Sequence, residues 1–387
     1  MSLIADSRVT APLSSSELHL DESFDRRTDV LAKQTRAGKL LKDAGSEGLL
    51  LLEPENLAWF SSGATSRGVF DPVEQPGLFI TPEQRWLLCS NADTQRLFDE
   101  ELDGLGFQLK EWPWHWGREQ LVNDLLQGRK VACDRELAGC QLVRDELRQL
   151  RRSLTAYEQA CLRALGQIVS HAVEATCRTM NQNETEREVA GQVAHRLIHR
   201  GVFPVHLGVA ADGRSSVYRQ FGFTAMRVEN YAVVTAVGRK YGLYVMCSRT
   251  VSFGAPSADL QKANDAAARV AATYTAASWP DAIPSHILAS GQRVYQLTGF
   301  EHDWLLAPQG HVTGRALVEV PITPDSEDLF HPGCAIIWRA SAGPALCADT
   351  YLVTDGGPQP MTPTEAWPLK KIRVMGAEFF LPDLLTR

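Results

Sequence analysis

His311 stands in the stretch Gly310-His311-Val312-Thr313-Gly314-Arg315-Ala316-Leu317-Val318-Glu319-Val320-Pro321, which places a glutamate eight residues after an imidazole. Imidazole is the side chain whose ordinary pKa lies beside neutral pH, so His311 is the first candidate for a general acid or base. Glu319 is the candidate to orient or complement it. Among the arginines, Arg219 and Arg339 carry planar guanidinium forks that can grip a carboxylate through two parallel bonds. A plainer reading stands beside this one, with His311 satisfied within the fold and Glu319 paired to an arginine. Other constellations are weaker. His195 and His199 fall on one helix face at i, i+4, but no HExxH glutamate or third ligand accompanies them, so a solvated face is expected. No GxSxG elbow, Walker A loop or dinucleotide fingerprint occurs, and hydrolase-triad, kinase and dehydrogenase chemistry has no support.

A chain of 387 residues is long for one core and suits two domains. Its 44% hydrophobic and 22% charged residues fit a globular protein, and the formal net charge of -7 argues against nucleic acid or an anionic membrane as partner. A small molecule or a protein is expected instead. The eight cysteines are scattered without a CxxC pair, and most lie in apolar runs, so they are expected as buried free thiols in a reducing cytoplasm. Residues 1–25 lack a basic segment followed by an apolar core; a disordered or extended tail is expected there, not a secretory leader. No apolar run reaches the roughly 20 residues that span a bilayer.

The elements that must position the candidates alternate along the chain. A helix is expected over 26–42, closed by Ala44-Gly45, and then a continuous apolar strand over 48–52 of the kind covered on both faces. Further strands at 78–81, 86–89 and 130–133, with helices near 92–102 and 118–126, indicate an α/β domain over 26–152. The second domain, 153–387, opens with a capping box at Thr155 and Glu158, and the device recurs at Thr185 and Glu188 before a helix running to about His199. Two helices thus precede the first strand pair, a hairpin at 231–237 and 243–251 about a glycine-containing turn. Helices at 257–277 and 282–297 and a second β-rich half from 309 to 354 follow. Trp112-Pro113-Trp114-His115-Trp116 is read as an interface or core anchor, or as an aromatic lid over a neighbouring subunit.

Three stretches carry a family resemblance. The 310–321 segment keeps a GHxxGxxxxExP skeleton, Asn56-Leu57-Ala58-Trp59-Phe60-Ser61-Ser62-Gly63 follows an apolar strand, and Tyr241-Gly242 with Ser248-Arg249-Thr250 frames the hairpin. In these the chain resembles the creatinase/Xaa-Pro peptidase (M24, pita-bread) family, over about residues 28–370. The resemblance implies an α/β N-terminal domain plus an α+β C-terminal domain of creatinase/aminopeptidase type, and a homodimer. It also implies where two metal ions would be held, at Thr235, Met246, His311, Arg339 and Ala348. Only one of those five is a usual ligand; methionine does not suit a hard divalent ion, and a guanidinium would be repelled by one. No metal or other cofactor is therefore expected. Tyr218-Arg219-Gln220-Phe221 and Trp338-Arg339-Ala340-Ser341 echo motifs of metal-free members, with Gln220 where the creatinase base would stand.

On that frame a polar set is expected to line one pocket: Asp212, Arg214, Tyr218, Arg219, Arg249, Gln309, His311, Glu319, Arg339 and Asp349. His311 and Glu319 would be catalytic; Arg214, Tyr218, Arg219, Gln309, Arg339 and Asp349 would bind substrate. The function implied is metal-independent hydrolysis of a C–N bond in a small carboxylate-bearing molecule. The alternative is a catalytically inactive pseudo-peptidase that serves as a homodimeric binding or scaffold protein.

Overall fold

The computed structural model describes residues 25–66 and 75–387, so the tail expected over 1–25 lies almost wholly outside it. Asp25 caps α1 (Arg26–Asp43) by accepting from the Arg27 and Thr28 amides. β1 (Gly48–Leu51) is buried at every residue, which accounts for its unbroken run of leucines. After it come α2 (Pro54–Phe60), β2 (Gly77–Ile80), β3 (Arg85–Ser90), α3 (Thr94–Arg96), which continues into a π turn, β4 (Gln108–Trp112), α4 (Glu119–Leu126), β5 (Val131–Cys133), β6 (Cys140–Leu142) and α5 (Arg144–Arg152). The six strands form one mixed sheet in the order β4-β3-β2-β1-β5-β6, parallel at β3–β4, β1–β5 and β5–β6.

Both capping boxes form. Thr155 and Glu158 open α6 (Ala156–Thr179), and Thr185 and Glu188 open α7 (Glu186–His199). Next comes a strand absent from the sequence reading, β7 (Phe203–Ala211), which pairs with the expected hairpin and is followed by the short α8 (Arg214–Val217). The hairpin is β8 (Tyr231–Lys240) and β9 (Leu243–Ser252). Ser257 caps α9 (Ala258–Ala277), and α10 (Pro284–Thr298) ends on Gly299 in the left-handed region. The second sheet is built from β10 (Gly310–Thr313), β11 (Val320–Pro321), β12 (Ala335–Ala342), β13 (Ala345–Thr354) and β14 (Gly357–Pro360). A separate hairpin, β15 (Leu369–Val374) and β16 (Ala377–Pro382), packs on α9, and β17 (Leu385–Thr386) returns alongside β9.

Helix pair, strands, helix pair, strands is thus the layout of the second domain. Its two sheets, β17-β9-β8-β7 and β11-β10-β12-β13-β14, abut along β9 and β13. There the Thr350 hydroxyl accepts from the Met246 amide at 2.9 Å and donates to its carbonyl at 3.0 Å. Strand alternation gives each sheet two faces. One face of the first sheet, with Val234, Ala236 and Cys247, packs under α6 and α7, and one face of the second, with Ile336, Trp338 and Ala340, packs under α9 and α10. The opposite faces turn toward each other and form a smaller apolar cluster of Val233, Val237, Met246, Ile337 and Ala348, with Phe221. Among the described residues no helix is long and apolar enough to cross a membrane.

Candidate functional site

The five positions marked out by the family frame share the inward face. Thr235 has the parity of Val233 and Val237, and Met246 sits opposite Val237 in the β8–β9 ladder. His311 lies opposite Ile337, and Arg339 opposite Ala348. Their chemistry is not that of a metal centre. Thr235 donates its hydroxyl to the Cys247 carbonyl at 3.2 Å, Met246 and Ala348 belong to the apolar cluster, and Arg339 adds a positive charge. One imidazole facing a guanidinium and a methionine does not fit a pair of hard divalent ions, which need carboxylate oxygens. Among the described residues no group of three or more His, Cys, Asp or Glu side chains is placed to hold one metal ion.

The polar residues left on this face are short of partners. Burial, with the Arg339 guanidinium adding to it, pushes the His311 imidazole down to about 4, so it is neutral at pH 7. Its Nε2 is buried without a hydrogen-bond partner. Burial also lowers the pKa of Arg339. Its Nη2 donates to the Arg219 carbonyl at 3.3 Å, and its Nε is buried and unpartnered. Several other buried or part-buried arginines of the domain meet a carboxylate, namely Arg214 with Glu186 at 2.7 Å, Arg219 with Asp303 at 3.1 Å, Arg249 with Glu174 and Asp349 at 2.9 Å and Arg315 with Glu158 at 2.6 Å, whereas the part-buried Arg196 and Arg239 donate to neutral oxygens of Gln192, Thr179 and Tyr244. Arg339 has no such pair among the described residues. His206, on β7 and therefore missed in the sequence, stands exposed at the rim; burial of part of its ring and then Arg339 lower its pKa. The alternating text of Val205-His206-Leu207-Gly208 was the available signal, masked by a bulge between Pro204 and His206.

Most of the expected pocket residues are spent elsewhere. Glu319 does not reach His311 in any hydrogen bond: it pairs with Arg151 at 2.7 Å and accepts from the Arg315 and Ala316 amides at 3.0 and 2.9 Å. An acceptor with that many donors is a structural anchor joining the 314–316 turn to α5. The Gln309 amide oxygen accepts from the Tyr295 hydroxyl at 2.7 Å under α10. Asp349, on the helix-covered face, binds Arg249 at 2.9 Å and Thr362 at 2.8 Å; burial raises its pKa although Arg249 opposes the shift. Arg214 holds Glu186 and the Val209 and Gly222 carbonyls, and Tyr218 is 56% exposed. Asp212 closes its own loop by accepting from the Glu229, Asn230 and Tyr231 amides. Arg219 joins the inward face through its backbone alone, its side chain being held by Asp303 and the Gly343 carbonyl. Of the set proposed from sequence, His311 and Arg339 are brought together.

A cleft of about 170 Å³ at the domain junction adjoins this face through Tyr244 and Leu317, and Glu55, Ser66 and Arg239 also line it. The long pair His195–His199 stacks at 6.1 Å on an exposed helix face, as expected. All eight cysteines are free thiols.

The family model described as "Metallopeptidase family M24" matches residues 160–340. No curated protein sequence matches significantly. Among solved structures, a prolidase from Pyrococcus horikoshii OT3 superposes with a TM-score of 0.72 at 17% identity, covering 88% of this chain and 98% of its own. The dipeptidase PepE from Mycobacterium ulcerans gives 0.73 at 19% identity, covering 93% and 98%. The N-terminal domain of FACT complex subunit SPT16 from Cicer arietinum gives 0.66 at 11% identity, covering 90% and 97%. Identities this low establish the fold, which is the pita-bread fold expected from the sequence.

Proposed function

We propose that this chain is a member of the M24 metallopeptidase family that has given up metal-dependent peptide hydrolysis and binds a small carboxylate-bearing molecule on the inward face of its second domain. The observation that carries the reading is Arg339, a part-buried guanidinium whose Nε is buried and unpartnered and which has no carboxylate partner among the described residues. An uncompensated buried cation is costly, and an anion supplied by a ligand would relieve it. Neutral His311, with a bare Nε2, can share a hydrogen bond with the same ligand. In this reading the protein is a pseudo-peptidase with a binding role.

A second reading is favoured by one observation. An imidazole that is neutral at pH 7 and has an open Nε2 is chemically fit to act as a base, so metal-independent cleavage of a C–N bond in the bound molecule remains attached to His311. Against it, Glu319 is committed to Arg151 and cannot serve as its partner.

Calorimetric titration with amidino, ureido and N-acyl amino acids tests the first reading. Saturable binding is expected for at least one, weakened about ten- to hundredfold by Arg339→Gln as a charge-assisted pair is lost. Affinity indifferent to Arg339→Gln would sink it. Product analysis with the same panel separates the two readings, since turnover abolished by His311→Ala requires the second. Stoichiometric Mn, Co or Zn in protein purified without chelators, together with Xaa-Pro cleavage, would overturn both.

A further inference from the structure

On the outer side of the second domain, away from the inward face, lies an open groove of about 770 Å³. Its base is the outward stripe of α9 from Ala258 to Thr273, its walls the C-terminal end of α10 and strand β15. At about 1.5 Å rise per residue that stripe is roughly 22 Å long, the reach of a segment rather than of a metabolite. Part of the lining is apolar, with Ala266 and Ile372 buried beneath it and Val294 beside them, while Gln261, Asp265 and Thr273 of α9 make the rest polar. At its edge Leu297 is 86% exposed and adds an apolar side chain to the lining. Three exposed cations border the floor: Lys262, Arg269 and Arg373. None has an ion pair among the described residues. The groove's one carboxylate, Asp265, is already taken by Lys370, which also holds Asp383 at 3.1 Å.

We propose that this groove docks an acidic peptide segment bearing apolar side chains. Charge complementarity selects the sign, since three exposed cations without ion pairs among the described residues, set about a partly apolar floor, attract carboxylates and repel a basic segment. Shape selects the class. A trough walled by a helix end and a hairpin encloses a chain along its length, whereas a bilayer surface needs a convex or flat patch. The helical mode suits it, with apolar anchors at i, i+3 and i+7 facing the floor and glutamates meeting the rim. This is an interaction surface separate from the ligand pocket and does not depend on it.

The test is fluorescence anisotropy on the full chain with a labelled amphipathic peptide of about 12 residues built from Glu and Leu. Controls replace every Glu by Lys, or every Leu by Ser. Saturable binding of the Glu/Leu peptide is expected, at least tenfold tighter than either control and weakening as salt rises. The exposed double variant Arg269→Glu/Arg373→Glu should weaken it at least tenfold, and Leu297→Asp should weaken it independently. Lys39→Glu, a charge reversal remote from the groove on the exposed side of α1, should leave it unchanged. Circular dichroism confirms that each variant is folded. The proposal fails if there is no saturation by about 1 mM, if the Lys/Leu peptide binds equally well, or if the groove variants behave like Lys39→Glu. It also fails if phosphatidylserine vesicles bind through these residues and the Glu/Leu peptide does not compete.

Discussion

Arg339 tests the idea that binding has been retained at a cost in stability. Its neighbours in the fold are apolar: Ile337 precedes it on the same face and Ala348 faces it across the ladder. Replacing a poorly compensated buried ion by a well-packed hydrophobe of similar volume is often stabilising by about 1–4 kcal/mol. Arg339→Met should therefore raise the midpoint of urea unfolding while abolishing carboxylate binding. A loss of stability instead would mean that the guanidinium is an ordinary structural element, held well enough by the Arg219 carbonyl. At this scale the sequence displayed residue types but not their partners. Glu319 was legible as a motif glutamate, yet Arg151, which claims it, lies 168 positions away. Gln309 and Asp349 looked equally available, and only strand parity shows that Asp349 turns toward α6 and Gln309 toward Tyr295.

At the level of elements the local rules carried far. The capping boxes at Thr155 and Thr185, the β8–β9 hairpin and the four helices that cover the sheets follow from signals within a few residues. β7 did not, because Phe203 and Val205 point outward and the bulge after Pro204 breaks its period. His206 went unseen with it. What no local signal reveals is close approach between distant segments, and glycine marks one such place. In α6 a Cβ on Gly166 would lie 1.8 Å from the Met361 carbonyl oxygen. In α7 a Cβ on Gly191 would meet nothing within 4 Å. The same substitution should thus act with opposite signs. Gly166→Ala should destabilise by about 1–3 kcal/mol through overpacking, whereas Gly191→Ala should stabilise by up to about 1 kcal/mol through helix propensity. Denaturant midpoints of the two variants check the pair, and a stabilising Gly166→Ala would show that α6 is not pressed against the backbone at Met361.

For the whole molecule, the junction between domains is ionic and buried. Glu158, the capping-box glutamate of α6, receives Lys33 from α1 at 2.8 Å and Arg315 at 2.6 Å, and its side chain is wholly buried. Lys33 also meets Asp29 at 2.7 Å and donates to the Ser62 hydroxyl at 3.0 Å. Beside it Arg151 bridges Glu319 to Asn56, which donates in turn to Asp134 at 3.0 Å, so the Asn56 segment serves as a connector. Burial alone would raise the Glu158 carboxyl, but Lys33 and Arg315 outweigh it and hold it at about 2 against an ordinary 4.5. A carboxylate depressed in this way contributes stability that is fully present above pH 4.5 and is lost as pH falls through 2. Breaking the pair by removing one partner leaves two buried cations exposed to each other, a loss of about 3–5 kcal/mol. Glu158→Gln should therefore be much less stable than the parent chain at pH 7, with the gap narrowing through the acid window because the variant has no carboxylate there to protonate. Urea unfolding at a series of pH values measures this directly. A gap that stayed constant down to pH 2 would show that the capping bonds to Thr155, and not the ion pairs across the junction, account for the effect of Glu158.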